Sequence, residues 1–205
     1  MNDYLEKCFQ LHEQGKTVEE IIENIYINYA SFIDNDKIYE YKKIISDQFN
    51  VSLKDIRLIG SSHTYFSKKD GLLKNKEVTN DYDFAIINTS LFNKYWSIIL
   101  NDSSQIYNKK IFYKYLSNGK LHPLYLNKNS TLFKDIKSKI SLLNSDKSSS
   151  ICIYAFENAF IKNLCHYLES DFIDYFKEQN TYKLKEINNG VIKSLENIGD
   201  KLNGK

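Results

Sequence analysis

Two short apolar runs constrain this chain more than anything else in it. Ile56-Arg57-Leu58-Ile59 ends abruptly at Gly60, and Tyr82-Asp83-Phe84-Ala85-Ile86-Ile87 opens on a pair of alternating carboxylates, Asp81 and Asp83. Both runs suit strands bounded by polar turns. A strand places residues i and i+2 on one face, so Asp81 and Asp83 point together while Tyr82 and Phe84 point into the core. Nearly everything else follows helical spacing. The expected fold is therefore α+β, a small mixed sheet with flanking N- and C-terminal helices.

The helical signals are specific. Tyr4 to Glu13 is amphipathic and Gly15 ends it. Thr17-Val18-Glu19-Glu20 is a capping box opening a helix with Ile21, Ile22, Ile25 and Tyr29 on one face. Asp34 or Asn35 can cap a third helix carrying Ile38, Tyr41, Ile45 and Phe49, which Asn50 closes. Ser90 is the expected cap of a helix through Leu91, Phe92, Tyr95, Trp96 and Ile99. Residues 111–116 suit either a strand or a helix, and Asn118-Gly119 is a turn. Asn144 to Ser150, rich in Ser, Asn and Lys, is the expected linker. The division that follows is a core with N-terminal helices over 1–145 and a C-terminal helical segment over 146–205. In that segment Phe156, Phe160, Leu164 and Tyr167 share one face, and Leu184 to Leu202 forms a long amphipathic helix. That last stripe suits an intramolecular seam, with a dimer contact as the alternative.

Composition narrows the partners. With 205 residues, 42% hydrophobic and 14% aromatic, the chain can build a real core. A net charge of +2 calls for neither nucleic acid nor membrane, and Arg57 is the only arginine. Cys8, Cys152 and Cys165 form no CxxC pattern, which argues for buried thiols rather than zinc ligands. The opening residues lack a secretory pattern and no apolar run approaches about 18 residues. A cytoplasmic protein is expected.

Two close carboxylates repel unless a cation lies between them, and hard oxygen donors favour Mg²⁺ or Mn²⁺. Gly60 allows a sharp bend near a phosphate, and Ser61 and Ser62 supply donors to its oxygens. Together these parts suit phosphoryl or nucleotidyl transfer. His63 is either a phosphate contact or base, or a surface-loop residue; His122, before Pro123, lines the cleft or shapes a turn. Residues 63–80 form an expected long loop with Lys68, Lys69, Lys74 and Lys76, more simply a solvated stretch than an RNA contact. Tyr107, Phe112, Tyr113 and Tyr115 could stack a base, but packing also explains them.

Gly60-Ser61-Ser62, Asn80-Asp81-Tyr82-Asp83-Phe84-Ala85-Ile86-Ile87 and Leu91-Phe92-Asn93-Lys94-Tyr95-Trp96 resemble the nucleotidyltransferase superfamily, the fold of polymerase β. They are similar to a group of small bacterial members, and Gly119-Lys120-Leu121-His122-Pro123 looks like a Gly-x-Ile-Arg-Pro segment of that group. The likeness spans roughly residues 56–125. It implies that Asp81 and Asp83 are catalytic and hold Mg²⁺, that Gly60 and Ser61 hold the nucleotide phosphates, and that an NTP is the substrate; Ser62 and His63, beside them, are further candidate nucleotide contacts by their chemistry. The acceptor would be a hydroxyl on protein, RNA or a small molecule, and a toxin–antitoxin or phage-defence setting would fit. The alternative is a catalytically impaired nucleotide sensor or partner-binding module on the same fold. Two departures bear on this choice. The gap between Gly-Ser and Asp-x-Asp exceeds the usual dozen or so residues. The family's third carboxylate also has no counterpart between Asp102 and Asp135, which leaves Glu77 as a substitute or the site impaired.

Overall fold

A computed structural model describes residues 3–28, 36–64, 66–67, 72–73, 81–143 and 148–166. Helix α1 (Asp3–Glu13) and helix α2 (Val18–Glu23) come first, α2 running into a π-helical turn at Asn24–Asn28. Next come α3 (Asp36–Phe49), β1 (Ile56–Ile59), the single turn α4 (Ser61–Thr64), and the two-residue strands β2 (Phe66–Ser67) and β3 (Leu72–Leu73). Strand β4 (Asp81–Ile87), α5 (Thr89–Asn101), α6 (Lys109–Ser117), β5 (Lys120–Leu121), α7 (Thr131–Ser141) and β6 (Ser148–Tyr154) follow. Helix α8 covers residues 157–166.

Four strands form one mixed sheet in the order β1-β4-β6-β5. β1 runs antiparallel to β4, β4 parallel to β6, and β5 antiparallel to β6. The parallel pair requires a long crossover, which residues 88–147 supply. β2 and β3 pair only with each other. The chain is thus an α+β protein with helices on both faces of a small mixed sheet.

The strand alternation sorts side chains between two apolar clusters. Tyr82, Phe84 and Ile86 join Ile56, Leu58, Leu121, Ile151 and Ile153 on one face, packed under α3, α5, α6 and α7. Ile59, Ala85, Cys152 and Tyr154 face the other way, toward α1, α2 and α8. Phe84, Ile56, Ile86, Ile151 and Ile153 are fully buried.

Local chemistry sets the helix ends. The Gly15 amide donates to the His12 carbonyl and the Lys16 amide to the Leu11 carbonyl, closing α1. The capping box at Thr17 and Glu20 is complete in both directions. Ile38, Tyr41, Ile45 and Phe49 are all buried, and Asn50 takes φ +52° where α3 stops. Tyr29, Asp34 and Asn35 lie outside the described residues.

Several expectations change. Residues 111–116 lie in helix α6. Asn88, two residues earlier than expected, caps α5 by accepting from the Leu91 amide; Ser90 is already helical. The expected loop at 63–80 begins inside α4 and includes the β2–β3 pair, while Lys68, Lys69, Lys74, Lys76 and Glu77 lie outside the described residues. The largest change concerns the expected linker. Ser148, Ser149 and Ser150 start strand β6, because their backbones pair with β4 where their side chains gave no apolar signal. The expected division at 145/146 therefore has a strand of the same sheet on its C-terminal side. In α8 the buried residues are Ala159, Phe160, Ile161 and Leu164, whereas Phe156 is 55% exposed; Tyr167 and the stripe from Leu184 to Leu202 lie outside the described residues.

Candidate functional site

Strands β1 and β4 bring the glycine bend and Asp83 together. Ile59 is the register partner of Asp83, so Gly60 begins its turn directly beside that carboxylate. Gly60 has φ +68°, in the left-handed region that disfavours a side chain. A Cβ built there would stand 3.0 Å from the Asp83 Oδ2 atom. Backbone conformation and space both require glycine at this point. The Gly60 carbonyl accepts from the His63 and Thr64 amides and from the Thr64 hydroxyl, which ties the bend to the turn α4.

The Asp83 carboxylate is half-buried and is oriented from the opposite strand. Ser150, its register partner on β6, donates its hydroxyl to Oδ1 at 2.5 Å. One carboxylate oxygen is thus bound to Ser150, and the other faces the glycine bend. Position 81 shares this sheet face by strand alternation and pairs with Ser148.

The Gly-Ser-Ser-His segment divides in its roles. Ser61 is partly exposed beside the bend. Ser62 is buried and its hydroxyl donates to the Ile59 carbonyl. His63 is neither exposed nor in a loop. It is 2% exposed, stacks on Tyr26 at 4.6 Å, and its Nε2 lies 2.9 Å from the Ile25 carbonyl. Burial holds its pKa down at about 4, against a smaller opposing pull from the Ile25 carbonyl; the Lys42 charge adds to the depression. The imidazole is therefore neutral near pH 7 and is spent on joining α4 to the π-helical turn. His122 caps the short helix at Pro123–Tyr125, its Nδ1 accepting from the Leu124 amide.

The aromatic candidates also separate. Phe112 is a core residue and Tyr115 stacks on Tyr125, while Tyr107 and Tyr113 are exposed.

Along β6 the same face continues from Ser150 through Cys152 to Tyr154, which pairs with Lys120. Burial raises the Cys152 thiol to about 11; the Lys120 charge opposes that shift and the Asp83 charge reinforces it. Both charges are thus felt at the middle of the strand, the carboxylate from one end and the ammonium from the other.

Sequence reasoning missed Ser150. A signal was present: Ile151 and Ile153 alternate with Ser150, Cys152 and Tyr154, the pattern of a strand with one apolar face.

The oxygen donors at this bend suit a hard divalent cation: a carboxylate oxygen faces a backbone bend with no side chain to block it. Among the described residues, no group of three or more His, Cys, Asp or Glu side chains converges on one point. No described helix is long and apolar enough to cross a membrane.

Fold and site together define an α+β protein in which a left-handed glycine bend abuts a strand carboxylate. Comparison with family models, with curated proteins and with solved structures found no match.

Proposed function

We propose that this chain is a nucleotidyltransferase-like protein that takes an NTP at the bend between β1 and α4. In this reading Asp81 and Asp83 hold Mg²⁺ or Mn²⁺, and Gly60 and Ser61 face the triphosphate. The nucleotide would pass to a hydroxyl on a protein, an RNA or a small molecule. The single observation that carries the reading is the 3.0 Å approach between the Asp83 Oδ2 atom and the space a Gly60 side chain would fill. A bend with no side chain lets a phosphate approach the backbone beside that carboxylate.

The chemistry a divalent cation supplies in such a site is charge neutralisation on the triphosphate and acidification of the attacking hydroxyl. The chain's own part is positional. Ser150 fixes the Asp83 carboxylate through Oδ1, so Oδ2 is presented in one orientation. Gly60 keeps the approach open, and the bend is held by the amides of His63 and Thr64.

A second reading has its own support. β6 lies beside β4, where an additional carboxylate would reach Asp83, and it carries Ser150 there instead. This favours a module that binds nucleotide without turning it over.

The test is a double substitution, Asp81→Asn with Asp83→Asn, assayed with labelled NTPs and Mg²⁺. The enzyme reading expects turnover to fall at least a hundredfold, and unchanged turnover refutes it. Calorimetry separates the second reading: Mg²⁺-dependent NTP binding by the wild type, lost in the double variant, with no product from protein, RNA or small-molecule hydroxyls.

A further inference from the structure

A concavity opens at the β5 edge of the sheet, past Cys152 and Tyr154. It is a groove of 530 Å³ between α6, β5 and α8, and its lining includes Lys114, Lys120, Lys162, Phe156, Asn163 and His166. The size falls within the range of small-molecule sites. It lies four positions along β6 from Ser150, about 13 Å at strand spacing.

Three features mark it as a built site. First, Lys120 is only 4% exposed, yet it contributes to the groove lining. Its Nζ donates to the Asn163 Oδ1 atom at 2.9 Å and lies 5.5 Å from the Tyr115 ring and 5.7 Å from the Tyr154 ring. The Tyr154 hydroxyl donates to the same Asn163 oxygen at 2.8 Å, so the amide is locked in one orientation. Burying an ammonium is costly, and this one is held in place by a set of fixed neutral groups. Second, Gly119 precedes it at φ +71°, and a Cβ there would come within 3.0 Å of the Ala159 methyl. The β5 backbone is therefore pressed directly against α8. Third, the lining lysines come from three separate elements: Lys114 from α6, Lys120 from β5 and Lys162 from α8. Such convergence of one sign raises the local concentration of anions.

The groove also has an apolar wall. Phe156 is 55% exposed, a large aromatic residue left in water where the chain enters α8. The neighbouring Tyr115 ring is already stacked on Tyr125 at 4.9 Å.

We propose that this groove binds a phosphorylated small molecule carrying a planar ring, with its phosphate on Lys114, Lys120 and Lys162 and its ring on Phe156. Lysines act as point charges toward phosphate, which suits a ligand whose ring supplies the orientation. The inference stands on residues remote from the Gly60 bend and does not depend on the function proposed for it.

The test is calorimetry on the full-length chain in EDTA, with AMP and inorganic pyrophosphate as probes. Wild type is expected to bind both saturably. Lys114→Glu with Lys162→Glu, both exposed and so compatible with folding, is expected to weaken both at least tenfold. Phe156→Ala is expected to weaken AMP at least fivefold and leave pyrophosphate unchanged. Asp83→Asn is expected to bind both as wild type does. The proposal is overturned if wild type binds neither probe, or if the lysine pair variant binds as wild type. It is equally overturned if Asp83→Asn abolishes binding, or if only single-stranded RNA binds.

Discussion

On one face of the sheet, Tyr82, Phe84, Ile86, Leu121, Ile151 and Ile153 join a single apolar cluster with α3, α5, α6 and α7. On the other, Asp83, Ser150, Cys152, Tyr154 and Lys120 form a row in which a carboxylate and an ammonium lie at opposite ends. The first face is held by area removed from water. The second keeps polar groups beneath helices, a cost offset by their mutual hydrogen bonds: Ser150 to Asp83, and Tyr154 and Lys120 to Asn163. A sheet covered on both sides need not be equally apolar on both, and the uneven side is where ligand chemistry is available.

Neighbouring residues give the sharpest way to break this contrast. Phe84→Ala empties a fully buried site and is expected to cost about 3–5 kcal/mol in urea unfolding. Asp83→Ala, one residue earlier, is expected to cost about 1 kcal/mol while abolishing NTP turnover. Equal destabilisation by the two would erase the distinction between the faces.

Acid should weaken the polar face next. In the folded chain both His63 and His122 are held at about 4, His63 by burial first and His122 by burial first and then by the Lys120 charge. Unfolded, each titrates near the ordinary value, about 6.5. Between those values the unfolded chain binds protons that the folded chain refuses, so stability is full above pH 6.5 and falls as pH drops toward 4. For His63 this amounts to roughly 3 kcal/mol across the window. His63→Phe keeps a ring against Tyr26 and removes one titrating site. Urea midpoints measured from pH 7 to 4.5 should then fall about half as steeply as in the wild type.

Gly60→Ala forces a side chain into a left-handed backbone against Asp83. It is expected to cost about 1–2 kcal/mol by thermal unfolding and to abolish Mg²⁺-dependent NTP binding. Stability loss with unaltered binding would mean that the bend serves folding alone. The smallest effect belongs to Ser150→Ala, about 1 kcal/mol from one lost hydrogen bond. A larger loss of nucleotide affinity than of stability would identify Ser150 as a positioning residue.

The apolar face was legible because periodicity alone specifies it. Ile38, Tyr41, Ile45 and Phe49 on α3, and Tyr82 and Phe84 on β4, went where their spacing put them. Gly60 and Asp83 were legible as neighbours because a glycine bend and a strand carboxylate each have few uses. Ser150 was only partly legible: the alternation around Ile151 and Ile153 marks a strand, but the serines ahead of it hide where that strand starts. A run of serines resembles a linker, and it is backbone pairing with β4 that makes it strand, which no local propensity reports. His63 was misplaced for a related reason. Its burial comes from Tyr26 and Ile25, far earlier in the chain, so nothing near it announced that it would be covered. The same holds for Lys120, whose surroundings are assembled from α6, β6 and α8.

Strand β6 is the last of the described strands in sequence, yet it sits in the interior of the sheet, between β4 and β5. During synthesis β4 emerges long before its parallel neighbour, and β5 emerges with no strand to join. Until residues 148–154 leave the ribosome, one long edge of β4 has its amides and carbonyls open to any passing chain. Completion of the sheet is therefore a late, long-range event, and the nascent chain before it is the form most in need of a chaperone.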